Sequence, residues 1–85
     1  MSEQYSILYL DDEEDNLTSF KAVFRRNFKI YTAKDVSEAW EILSANAIDL
    51  VISDQRMPGI TGVEFLEKVH QSHPHIIRMI LTGYS

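Results

Sequence analysis

The segment Leu50-Val51-Ile52-Ser53-Asp54-Gln55-Arg56-Met57-Pro58-Gly59 governs how the rest of the chain is read. Leu50 to Ser53 is an apolar run too short for a helix, so it reads as a buried strand that ends on a carboxylate. Pro58, Gly59 and Gly62 then form a loop with strong turn chemistry. Thr61 with Glu64 three residues later has the spacing of a helix N-cap, and Val63, Leu66 and Val69 mark one side of the helix it opens. Ser72-His73-Pro74 ends that helix, because proline disfavours helical backbone in the residue before it.

The same unit recurs on both sides. Upstream, Ile7 to Leu10 is a second short apolar run, and it ends on Asp11-Asp12. From about Glu14 to Asn27 the residues Leu17, Phe20, Val23 and Phe24 recur three and four apart, the pattern of an amphipathic helix. Glu13, Glu14 and Asp15 lie in or beside its first turn, where the helix dipole favours negative charge. Phe28 to Thr32 is β-branched and aromatic, which suits a strand. Asp35 and Glu38 cap a further helix with Val36, Ala39, Trp40 and Leu43 as its buried stripe. Downstream, Ile76 to Leu81 is the last strand, and Thr82 follows it. Strands alternating with helices predict an α/β fold around a parallel sheet, in the order β-α-β-α-β-α-β. All strand C-termini of such a sheet share one edge. Asp11, Asp12, Asp54 and the Thr82 hydroxyl should therefore meet there.

Converging carboxylates repel one another, and they need a proton or a hard cation to coexist. Mg2+ suits an all-oxygen site of this kind because it needs only one or two carboxylates and keeps several waters. Asp54 is the candidate nucleophile, since a carboxylate can attack phosphorus to form an acyl phosphate. A bland alternative exists for each residue. Asp54 alone could be an ordinary loop carboxylate, and Asp11 and Asp12 could serve only the dipole of the following helix. His70, His73 and His75 lie near a helix end, where a C-terminal dipole explains them without a metal.

Composition narrows the remaining classes. The 85 residues make one small domain, residues 1-85, with 45% hydrophobic and 25% charged side chains. With 13 acidic and 8 basic residues the net charge is -5, and Arg25-Arg26 is the only adjacent basic pair, so nucleic-acid binding by this segment is not expected. There is no cysteine, hence no disulfide or thiolate metal site. Met1-Ser2-Glu3-Gln4 lacks the features of a signal peptide, and no apolar run is long enough to span a bilayer, so a cytoplasmic setting is expected.

Leu10-Asp11-Asp12-Glu13, the Asp-x-x-Met-Pro-x-x-x-Gly stretch from Asp54 to Gly62, and Leu81-Thr82-Gly83 together resemble the receiver domain of bacterial two-component response regulators. The resemblance runs over the chain from Ile7. It implies a flavodoxin-like doubly wound parallel sheet that is incomplete, lacking a final helix, strand and helix. It further implies that Asp54 accepts a phosphoryl group from a sensor histidine kinase or phosphotransfer protein in a phosphorelay. Asp12 and Asp54 would bind Mg2+, with Asp11 acting mainly through water and Arg56 through its backbone carbonyl. Thr82 would be the switch hydroxyl. The family's lysine and switch aromatic fall on the strand expected beyond Ser85, and Tyr84 is not assigned as that aromatic. Without the lysine, the 85 residues alone are expected to be phosphorylated weakly or not at all.

The fourth strand would be a sheet edge with no helix beside it, which predicts self-association through the uncovered edge. One alternative function is an interaction or dimerisation module with a vestigial acidic pocket. Another is a metal-dependent phosphohydrolase with an aspartyl nucleophile, but Arg56 stands where that chemistry places its second acid.

Overall fold

The structure is a computed structural model that describes residues 4–82. The readings placed on Met1 to Glu3, and on Gly83 and Tyr84, lie outside the described residues. Four strands and three helices alternate: β1 (Ser6–Leu10), α1 (Glu14–Phe24), β2 (Lys29–Ala33), α2 (Val36–Ala45), β3 (Leu50–Asp54), α3 (Gly62–Ser72) and β4 (Ile77–Leu81). The strands form one sheet in the order β2-β1-β3-β4, and every pairing is parallel. The chain winds from β1 outward to β2, then crosses back to β3 on the other side of β1. That reversal creates a crevice at the C-terminal edge between β1 and β3.

Both faces of the central strands are buried, and the period-two alternation shows which side each residue serves. Leu8 and Leu10 of β1 pack with Val51 of β3 against Ala39 and Leu43 of α2 and Phe65, Leu66 and Val69 of α3. Ile7, Tyr9 and Ile52 turn the other way and meet Leu17 of α1. Two helices thus cover one face and a single helix covers the other, the doubly wound arrangement expected from the sequence.

Helix ends follow their local chemistry. Thr61 Oγ1 accepts from the Glu64 N–H at 3.2 Å, and Glu64 Oε1 accepts from the Thr61 N–H at 2.9 Å, a complete capping box. Asp35 Oδ1 accepts from the Glu38 N–H at 2.8 Å, while Glu38 Oε1 reaches back one residue further, to the Lys34 N–H. Trp40 stands edge-on to Phe65, ring centres 5.4 Å apart, which makes it a packing residue.

Several expected boundaries and stripes are corrected. α1 stops at Phe24 instead of Asn27, because the Asn27 and Phe28 N–H groups both turn back to the Phe24 carbonyl and aim the chain into β2. β2 accordingly runs Lys29–Ala33, and β4 begins at Ile77 although Ile76 is buried. Of the expected α1 stripe only Leu17 is fully buried; Phe20 is partly covered and Val23 is 66% exposed. The cause is coverage, since α1 lies alone on its face of the sheet among the described residues. In α3 the buried positions are Gly62, Phe65, Leu66 and Val69, and Val63 is 51% exposed. Gly62 explains the rotation. A Cβ there would run into the carbonyl of Asp54 and the Ile80 side chain, so glycine takes the inward position at the start of the helix.

Candidate metal and phosphoryl site

The register of the sheet assembles the site. Leu10 is opposite Ala33 on one side and Ser53 on the other, and Asp54 is opposite Leu81. The next residues, Asp11-Asp12 and Thr82, therefore leave the sheet at the same edge as Asp54. Two backbone bonds extend the ladder past the strands: the Asp11 N–H donates to the Ala33 carbonyl and the Gln55 N–H to the Leu81 carbonyl, each at 3.1 Å. One carboxylate oxygen from each of Asp11, Asp12 and Asp54 lies within 4.8 Å of the others. Asp11 is buried, Asp54 half-buried and Asp12 exposed.

Asp11 is held on all sides. Its Oδ1 accepts from the Glu13 N–H at 2.9 Å, and its Oδ2 accepts from the Tyr9 hydroxyl at 2.6 Å and from the Asn16 side-chain amide at 3.0 Å. Burial, together with the hydrogen bond to Asp11, pushes the Tyr9 phenol well above its ordinary pKa, so it remains a donor at neutral pH. Asp54 is held less closely. Partial burial raises its carboxyl above the usual carboxylate range, and the charges of Asp11 and then Asp12 push in the same direction. Backbone N–H groups of Gln55 and Arg56 oppose that rise. At an effective dielectric near ~20, carboxylates this close repel by on the order of a few kcal/mol, less for the solvated Asp12. A hard divalent cation would relieve that repulsion and accepts this all-oxygen donor set. The donor chemistry therefore fits Mg2+.

The loop after Asp54 is fastened to α3. The Gly62 N–H donates to the Gln55 carbonyl at 3.1 Å, and the Val63 N–H to Gln55 Oε1 at 3.0 Å. Gly59, at φ 85°, supplies the left-handed backbone that closes the turn. A cleft of about 440 Å3 opens beside Asp12, with Lys34, Val36, Met57, Pro58 and Ile60 among its walls.

Asp11, Asp12, Asp54, Arg56 and Thr82 are the site residues expected from the sequence. The three carboxylates converge; Arg56 lies in the loop just after Asp54, and Thr82 is the exposed residue directly after β4. Among the described residues the histidines take no part in a metal-holding group. The His73 ring lies 6.5 Å from both the Trp40 and the His75 ring, tilted to each, as a half-buried packing neighbour. Tyr9 and Asn16 were missed. Tyr9 was detectable in principle, since a strand residue two before Asp11 points to the same face.

Comparison with known proteins is consistent with this geometry. Residues 7–85 match the family described as the response regulator receiver domain. The chain is 34% identical over 82 residues to the hydrogenase transcriptional regulatory protein HoxA of Cupriavidus necator, covering 96% of this chain and 17% of that protein. The signal receiver domain of an HD domain-containing protein from Pseudomonas fluorescens superposes with a TM-score of 0.91 at 29% identity, over 96% of this chain and 66% of that one. The response regulator protein TrrA of Thermotoga maritima, solved in complex with Mg2+ and BeF, superposes with a TM-score of 0.85 at 31% identity, over 96% and 72%. The chain thus spans less than a fifth of HoxA and roughly two thirds of these receiver structures.

Proposed function

The chain belongs to the response regulator receiver family of two-component systems, and from that premise we propose that Asp54 is its phosphoryl acceptor. The observation that supports this most is the convergence of Asp11, Asp12 and Asp54 within 4.8 Å at the C-terminal edge of a parallel sheet. The donor is a phosphohistidine on a sensor histidine kinase or phosphotransfer protein, and the setting is the cytoplasm. Among the described residues no helix is long and apolar enough to cross a membrane.

In the reaction a carboxylate oxygen of Asp54 attacks the phosphorus of phosphohistidine. The P–N bond breaks, its electron pair stays on the imidazole nitrogen, and an acyl phosphate forms on Asp54. Mg2+, held by Asp12, Asp54 and the backbone carbonyl of Arg56 with Asp11 behind them, would offset the converging negative charge. The backbone N–H groups of Gln55 and Arg56 orient the attacking carboxylate. Gly62 lets α3 close on the Asp54 carbonyl and fixes the loop that carries Arg56. The Thr82 hydroxyl donates to a phosphoryl oxygen, so its contacts change with the phosphorylation state of Asp54. Later attack by an in-line water returns Asp54 and inorganic phosphate.

In the full-length protein, a small-molecule phosphodonor with Mg2+ should add one phosphoryl group, read as a mass increase, and Asp54→Asn should abolish it. Equal labelling of Asp54→Asn would remove Asp54 as the acceptor. A wild-type protein that binds Mg2+ but takes up no phosphoryl group would favour an interaction module with a vestigial pocket.

A second property rests on β4. Ile77, Met79 and Leu81 present apolar side chains on the α1 side of the sheet, and Ile77 is 66% exposed. Among the described residues β4 is an edge strand, and an apolar face there favours association. Two copies of this chain should pair through that edge, seen as a sedimentation coefficient that rises with concentration; a compact monomer at every concentration would contradict this.

A further inference from the structure

We propose that Tyr9 and Asn16 are positioning residues that occupy Oδ2 of Asp11 and thereby make the acidic cup favour Mg2+ over Ca2+. The inference rests on the reading of the cup as a Mg2+ site, and it concerns side chains that this reading does not use.

Lone pairs set the limit on what Asp11 can offer. An ionised carboxylate presents about four acceptor positions, two on each oxygen. On Asp11, the Tyr9 hydroxyl at 2.6 Å and the Asn16 amide at 3.0 Å take both positions on Oδ2. The Glu13 N–H at 2.9 Å takes one of the two on Oδ1. Among the described residues a single position remains. Asp11 lies next to Asp12 and Asp54, but it cannot offer both oxygens to one cation.

The donors on Oδ2 are not loosely placed. Tyr9 is 4% exposed, its ring packs on Phe20 with centroids 4.6 Å apart, and it lies in the cluster with Ile7, Leu17 and Ile52. A hydroxyl anchored by a buried ring loses little conformational freedom when it donates, so the bond is pre-organised. Asn16 sits in the first turns of α1, and the backbone of that turn is itself tied to Glu13 through the Asn16 N–H at 3.1 Å. Strand β1 and helix α1 therefore fix the same carboxylate oxygen from two directions.

The two cations respond differently to such a ligand. Ca2+ collects six to eight oxygens and readily takes both oxygens of a carboxylate. Mg2+ takes six, retains waters, and is satisfied with one or two carboxylates. A carboxylate with one oxygen already filled costs Ca2+ a ligand it would use and costs Mg2+ none. Tyr9→Phe keeps the ring and its packing on Phe20 while releasing one position on Oδ2. Asn16→Ala releases the other from an exposed site, with no core packing to lose.

The test is calorimetric titration of the full-length protein with MgCl2 and, separately, CaCl2, for wild type, Tyr9→Phe and Asn16→Ala. The ratio of the Ca2+ to the Mg2+ dissociation constant should fall about fivefold in Tyr9→Phe, the scale of one hydrogen bond's net worth. Asn16→Ala should move it in the same direction. A ratio unchanged within about twofold in both variants, with wild type still binding Mg2+, would overturn the inference and leave the proposed function standing. Failure of wild type to bind Mg2+ at all would overturn both. Should Tyr9→Phe fold poorly, the Asn16→Ala ratio decides the same question.

Discussion

Two strand ends lie side by side at one sheet edge, yet they hold their carboxylates in opposite ways. At the end of β1, Asp11 is buried and receives three hydrogen bonds from Tyr9, Glu13 and Asn16. At the end of β3, Asp54 is half-buried, and partial burial and its acidic neighbours push its carboxyl upward. One is held by three hydrogen bonds, and the other only by backbone N–H groups of Gln55 and Arg56 that do not offset its burial and acidic neighbours. A group that must attack phosphorus is better kept reactive than fully satisfied, while the charge beside it must stay fixed to hold the cation. The contrast supports the proposal that Asp54 carries the chemistry and Asp11 supports it.

The β3 end can be broken without touching β1 through Gly62, whose missing side chain admits the Asp54 carbonyl. Gly62→Ala should force the start of α3 away from β3 and cost about 2 kcal/mol, the usual scale for overpacking. Thermal unfolding should show Tm lower by roughly 10 °C for a domain of this size; an unchanged Tm would mean that the helix start is free to move.

A smaller effect of opposite sign is expected when the Asp54 charge itself is removed. A carboxyl raised in the folded state binds protons more readily there than in the unfolded chain. Its penalty is therefore complete above the folded pKa and fades as pH falls toward the ordinary carboxylate value. Asp54→Asn should raise Tm at neutral pH, by less than Gly62→Ala lowers it. The gain should shrink toward pH 4, the region of unperturbed carboxylates, at about 4. A gain that persists at low pH would point to packing and not to charge.

The smallest expected effect crosses from one strand end to the other. Asp11→Asn removes the charge that acts most strongly on Asp54, so the Asp54 carboxyl should titrate closer to its ordinary value in a 13C NMR titration. An unmoved titration would mean the two ends are electrostatically independent.

Most of this arrangement was legible in the order of residues, because the signals involved are local. The apolar runs ending on Asp11, Asp54 and Thr82 identify strands by their length, and parallel topology then brings their ends together. The Thr61 and Glu64 pair marks its helix start within four residues. Features that depend on distant neighbours were not legible. Periodicity assigns Val23 to the apolar side of α1 but cannot tell that, among the described residues, no second helix covers it. Val63 looks like a core residue until Gly62 is seen to be the inward position against Asp54. The donors on Asp11 were hidden for a related reason, since Asn16 reaches it only through the turn that begins α1.

Borohydride reduction of the full-length protein, after incubation with Mg2+ and a phosphodonor, tests the assignment most directly. An acyl phosphate is reduced to an alcohol, so an aspartyl phosphate becomes homoserine at its own position. Peptide sequencing by mass spectrometry should find homoserine at position 54. Homoserine at 11 or 12, or at no position despite bound phosphate, would contradict the division of roles between the two strand ends.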